Sequence, residues 1–121
     1  MVTPQQTESE IQQLIQLQAA KLGCHLLRNN SGAFKDATGR VVFFGLGNIS
    51  KHHNDRIKSS DLIGIWNGKF VAIEVKKSGW KFNPNDKREQ AQLAFINWVK
   101  SNNGYAGFAA SLDDMFKILY P

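Results

Sequence analysis

Cysteine is almost missing from this chain. Cys24 is the only one in 121 residues, which excludes an internal disulfide and leaves no set of thiolates for zinc. Its neighbours, "LGCHLL", suit a buried structural thiol better than a nucleophile. Long apolar runs are missing too, and none approaches the roughly 18 residues of a membrane span. "MVTPQQTESE" has no basic start followed by an apolar segment, so the sequence predicts no secretion signal, a cytoplasmic location and no membrane partner. Acidic residues are in the minority, ten against fifteen Lys and Arg, for a formal net charge of +5. That balance favours polyanionic partners. No repeat, low-complexity tract or linker interrupts the chain, and its length fits one domain over 1–121.

What is present is concentrated in "SDLIGIWNGKFVAIEVKK", residues 60–77. Asn67-Gly68 between two apolar runs is a strong hairpin signal, because both residues tolerate the positive φ of a type I′ turn. With those two as the loop, Trp66 lies opposite Lys69, Leu62 opposite Ile73, and Asp61 opposite Glu74. Two like charges directly across a ladder repel. Lys76, two residues beyond Glu74, falls on the same face. Solvated strand ends would tolerate such charges, but "FVAIEV" reads as a strand covered on both sides. A glutamate there costs several kcal/mol, on the order of a buried unpaired charge, unless it is paired or bound to a cation. Oxygen ligands completed by water suit Mg²⁺, with Mn²⁺ as a substitute.

Along the rest of the chain, "TESEIQQLIQLQAAKL" (7–22) places Ile11, Leu14, Ile15, Gln18 and Leu22 on one helical stripe, with Thr7 and Glu10 as a capping box and Gly23 as the stop. "CHLLRNN" reads as a short strand, "SGAFKDATG" as a turn-rich link, and "RVVFF" as a second strand. "NISKHHNDRIKSS" is a polar, basic loop. After the hairpin, "SGWKFNPND" is another loop, Asp86 and Glu89 cap a helix from about 87 to 101, "YAGFAA" is a last strand, and Ser111 with Asp114 caps a final helix. The order predicts an α/β fold, a sheet with helices against it. On the second long helix, Gln92 shares the apolar side with Phe95, Trp98 and Val99, while Gln90 points away. Glu8 and Glu10 both border the first helix's stripe, and periodicity does not separate them. Adjacent His52 and His53, with no third soft ligand nearby, read as solvated or phosphate-facing.

Taken together, "ESEIQ", "RNNSG", "FGLG", "SDLIGI", "VAIEVK", "QLAFI" and "NNGYAGFAAS" resemble the PD-(D/E)XK nuclease superfamily, and within it the VRR-NUC domain in its stand-alone phage or bacterial form. The resemblance covers nearly the whole chain. It implies a restriction-endonuclease-like αβββαβ core, a mixed central sheet flanked by helices. It implies catalytic roles for Asp61, Glu74 and Lys76, supported by Glu10 and Gln92, and it favours Glu10 over Glu8. The Val75 carbonyl joins Asp61 and Glu74 as a metal ligand by the same resemblance. The sequence departs from relatives in the long insertion "NISKHHNDRIK" between the glycine segment and Asp61, and Ser59-Ser60 stand where a glycine and a proline are usual.

The activity so implied is Mg²⁺- or Mn²⁺-dependent endonuclease cleavage of DNA, selective for branched substrates such as four-way junctions or flaps, by a homodimer whose two sites sit at fixed spacing. Arg28, Asn30, Lys51, Arg56, Lys58, Lys77 and Lys81 are the candidates for phosphate contact, with the 48–58 loop reaching the branch. Trp80 and Phe82, between lysines, either stack on an unpaired base or pack in the core. The competing reading is a DNA-binding module without catalysis, against which the intact Asp, Glu and Lys set argues.

Overall fold

The computed structural model describes residues 5–121. In chain order the elements are α1 (Glu8–Leu22), β1 (Leu27–Arg28), β2 (Gly32–Lys35), β3 (Val41–Phe44), α2 (Lys51–Asn54), β4 (Leu62–Trp66), β5 (Lys69–Val75), α3 (Lys87–Ser101), β6 (Tyr105–Ala109) and α4 (Leu112–Leu119). This is a mixed α/β fold. A four-stranded sheet runs in the order β1-β4-β5-β6, while β2 and β3 form a separate antiparallel pair. β4 is antiparallel to β1 and β5, and β6 is parallel to β5. The difference follows from the connections: a two-residue turn joins β4 to β5, whereas α3 carries the chain back between β5 and β6.

The long helices begin at the expected caps. Thr7, Asp86 and Ser111 each accept, through the side chain, the backbone N–H three residues on, and Gly23 closes α1 at a φ of 94°. The hairpin takes the predicted register, from Trp66 opposite Lys69 to Leu62 opposite Ile73, with Asn67 and Gly68 at φ 52° and 76°. The alternation of β5 then assigns its neighbours. Val71, Ile73 and Val75 pack with Ile11 and Ile15 of α1 and Met115 and Leu119 of α4. Ala72 turns the other way, against Phe95, Ile96 and Val99 of α3. Each buried branched side chain contributes about 1.5–3 kcal/mol, so the strand that bears Glu74 sits at the most firmly held place in the sheet.

Four local expectations change. "SGAFKDATG" is not merely a link: Gly32–Lys35 is a strand, paired with Val41–Phe44 away from the central sheet. The first strand narrows to Leu27–Arg28, and the basic loop contains one helical turn, Lys51–Asn54, capped by Ser50. On α3 the buried stripe is Ala91, Gln92, Phe95, Ile96 and Val99, with Trp98 left 56% exposed.

Close approach of β1 to β4 depends on Gly64, where a Cβ would stand 2.7 Å from the His25 carbonyl oxygen and 3.2 Å from Leu26 Cδ2. Gly64→Ala is therefore expected to destabilise the fold by about 1–3 kcal/mol, the usual cost of overpacking against backbone. Urea denaturation measures it. An unchanged midpoint would mean that the 25–26 backbone yields freely.

Candidate active site

Glu74 shares its side of β5 with Ala72, so it is directed towards α3 rather than into the α1 layer. It is only 4% exposed. The residue that meets it is Gln92, 1% exposed on the buried stripe of α3. Gln92 Nε2 donates to Glu74 Oε1 at 2.9 Å, and Gln92 Oε1 accepts from Lys76 Nζ at 2.8 Å. A lysine can only donate and a carboxylate can only accept, so one amide orientation satisfies both neighbours. The glutamine thus spaces the ammonium from the carboxylate and fixes each.

Lys76 is buried, and its ammonium lies 5.4 Å from the Trp80 ring and 5.8 Å from that of Phe108. Trp80 and Phe82 pack on Phe108, with centroids 4.7 and 5.8 Å away. Both rings therefore pack on Phe108, while Phe82 stays 36% exposed.

Asp61 stands half-buried one residue before β4. Its Oδ2 accepts the Val75 N–H at 3.1 Å, and its carbonyl accepts the Asn29 N–H at 2.7 Å. The Asn29 side chain donates to the Ser59 hydroxyl and the Ser60 carbonyl, both at 2.9 Å, and so ties the end of β1 to the approach to β4. In an extended strand the N–H and C=O of one residue face the same side. The Val75 carbonyl therefore faces the side on which the Asp61 carboxylate lies.

Burial, reinforced by the Asp61 charge, pushes the Glu74 carboxyl up to about 8, with Lys76 acting in the opposite direction. Glu74 Oε2 is buried and has no hydrogen-bond partner. Two acids this close either share a proton or share a cation. Among the described residues no three His, Cys, Asp or Glu side chains gather as a metal-holding group. The cluster offers two carboxylates and one carbonyl, all hard oxygens, which fits Mg²⁺ or Mn²⁺ with water in the remaining positions. The orphaned Oε2 is the atom such an ion would satisfy.

Asp61 opens onto two clefts. A polar one of about 260 Å³ holds Arg28, Asn30, Lys58 and Arg88, and a wider one of about 500 Å³ holds Glu8, Gln12, Arg28 and Lys77. The expected Arg28, Asn30, Lys58 and Lys77 thus line the acidic cluster's surroundings, whereas exposed Lys51, Arg56 and Lys81 line neither cleft. Glu10 lines neither cleft: its Oε1 accepts the Thr7 hydroxyl at 3.1 Å, as a capping residue does. Glu8 lines the cleft instead. Arg88 and Gln12 were not among the candidates, although spacing could have found them. Arg88 precedes Gln92 by one helical turn and Gln12 follows Glu8 by one.

Compared with family models, with characterised proteins and with solved structures, the chain matches none.

Proposed function

We propose that this protein is a metal-dependent DNA endonuclease of the VRR-NUC type. The carrying observation is the buried, partnerless Glu74 Oε2 beside Asp61, held in a network whose cation is Lys76. The element order supports the restriction-endonuclease-like core, since α1, β1, β4, β5, α3 and β6 run helix, three strands, helix, strand, with β2, β3 and α2 inserted.

Asp61, Glu74 and the Val75 carbonyl would hold the ion. Such an ion would supply Lewis-acid polarisation of a phosphodiester and a lowered pKa for bound water. Lys76 presents an ammonium to a non-bridging phosphate oxygen where charge grows during displacement. Gln92 positions both Lys76 and Glu74. Arg28, Lys58, Arg88 and Lys77 neutralise neighbouring phosphates and so keep the scissile one over the acids. The family resemblance extends the proposal to branched DNA and a homodimer.

The test is nicking of supercoiled plasmid with Mg²⁺, Mn²⁺ or chelator, paired with thermal denaturation. Saturating Mn²⁺ is expected to raise Tm by about 5 °C, because the ion binds the folded site and not the unfolded chain. Asp61→Asn should abolish both that rise and the nicking, without loss of metal-free stability above about pH 8, where Glu74 is ionised and the change relieves like-charge repulsion. Equal metal-induced shifts in both proteins would remove Asp61 as a ligand. Metal-independent binding with no nicking would leave the non-catalytic module.

A further inference from the structure

Ser59 lines the polar cleft and also a second, almost wholly apolar groove of about 280 Å³. It stands two residues from Asp61, at most ~7 Å of extended chain. At about 3.4 Å of rise per nucleotide, that span of chain is about two steps of a strand. Phe95, 8% exposed, underlies it, and Trp98 and Ile49, 56% and 68% exposed, stand at its sides. The Trp98 ring packs on Phe95 alone among the described rings, at 5.8 Å, and its remaining surface is open. The other two tryptophans are engaged: Trp66 Nε1 donates to the Leu119 carbonyl, and Trp80 covers Lys76.

We propose that this groove receives one unstacked nucleobase of a DNA strand whose phosphates lie along Arg28, Lys58 and Arg88. The proposal rests on the nuclease reading and specifies the strand that reading acts on. An occupant of both spaces must be flat and apolar at one end and anionic at the other, which describes a nucleotide within a strand. At about 280 Å³ the groove stands at the lower end of the roughly 300–1,000 Å³ range of drug-sized sites, room enough for a single ring system. A second copy of the chain could lend the groove an apolar side chain but would leave the three neighbouring cations unmatched. Base–aromatic stacking on one exposed indole is sequence-tolerant, so the groove reads the presence of a free base rather than its identity.

The experiment uses two labelled duplexes that differ at one unpaired position, adenosine in one and an abasic residue in the other. Affinity is measured by fluorescence anisotropy in chelator, and cleavage is then measured with Mg²⁺. The full-length protein is expected to bind the adenosine duplex about tenfold more tightly than the abasic one. That ratio should fall to within about twofold of unity in Trp98→Ala and be largely kept in Trp98→Phe. A ratio near one in the parent, or an unchanged ratio in Trp98→Ala, overturns the proposal. So does a change of sedimenting mass in Trp98→Ala, which would assign the groove to a protein interface. If the parent cleaves neither duplex with Mg²⁺, the nuclease reading fails, while the affinity ratio still reports on the groove.

Discussion

Lys76→Ala is expected to lower Mg²⁺-dependent DNA cleavage by at least about a hundredfold while leaving most DNA affinity in place. The magnitude is that of removing one preorganised donor from a site where charge develops. Affinity survives because one phosphate contact among several changes the salt slope by about one at most. The geometry adds a second effect. Lys76 Nζ donates to Gln92 Oε1, so its removal leaves a buried amide oxygen without a donor, at a cost of about 1–3 kcal/mol. It also removes the one cation that opposes the rise of Glu74, driving that carboxyl further up. Part of the lost rate should therefore return at higher pH and Mn²⁺ concentration, and part should not. The unrecovered part measures the ammonium's own role. Parent-like rates under saturating metal would show that Lys76 serves only to hold Gln92.

Asn67-Gly68 made the hairpin legible, and with it the facing of Asp61 and Glu74, because turn type fixes register and register fixes side. Gln92 was legible for a similar reason: only one of the two glutamines falls on the buried stripe of α3. The β2–β3 pair was not. Its turn chemistry is written at Asp36, which accepts the N–H groups of Thr38 and Arg40 at 2.9 and 3.0 Å. Yet no local pattern says whether a strand joins the central sheet or pairs outside it, since that depends on which edges are free. Glu8 and Glu10 flank one stripe symmetrically, and which of them lines a cleft with Asp61 depends on where the chain before β4 lies, a tertiary fact. The aromatics divided in the same way. Trp80 and Trp98 carry the same ring and only Trp80 has a lysine next to it in sequence, but Trp80 packs on Phe108, whereas Trp98 lines the apolar groove.

The metal-free protein should lose stability as pH rises from about 4.5 to about 8, and Glu74→Gln should flatten that loss. The sign follows from the folded Glu74 carboxyl standing at about 8 against an ordinary 4.5. A group raised on folding favours the native state fully below its unfolded value, and that contribution disappears as pH climbs through the folded value. The window is therefore about pH 4.5 to 8. Asp61, whose charge raises the carboxyl, and Lys76, which opposes the rise, are the two charged groups facing it; Gln92 is neutral. Across the window the apo protein's Tm is expected to fall by about 10 °C, a few kcal/mol for a chain of this size. Glu74→Gln, which keeps an acceptor for Gln92 and cannot ionise, should show only a small slope and exceed the parent's Tm at pH 9. Metal reverses the relation, because the ion must displace the proton that the acids share. In saturating Mn²⁺ the parent's Tm should hold or rise over the same range, and a proton should be released on binding near pH 7. Calorimetric titration in buffers of different ionisation enthalpy reads that proton directly. An apo Tm independent of pH, or metal binding without proton release, would mean that Glu74 is already ionised in the folded protein, with its charge matched by Lys76 alone.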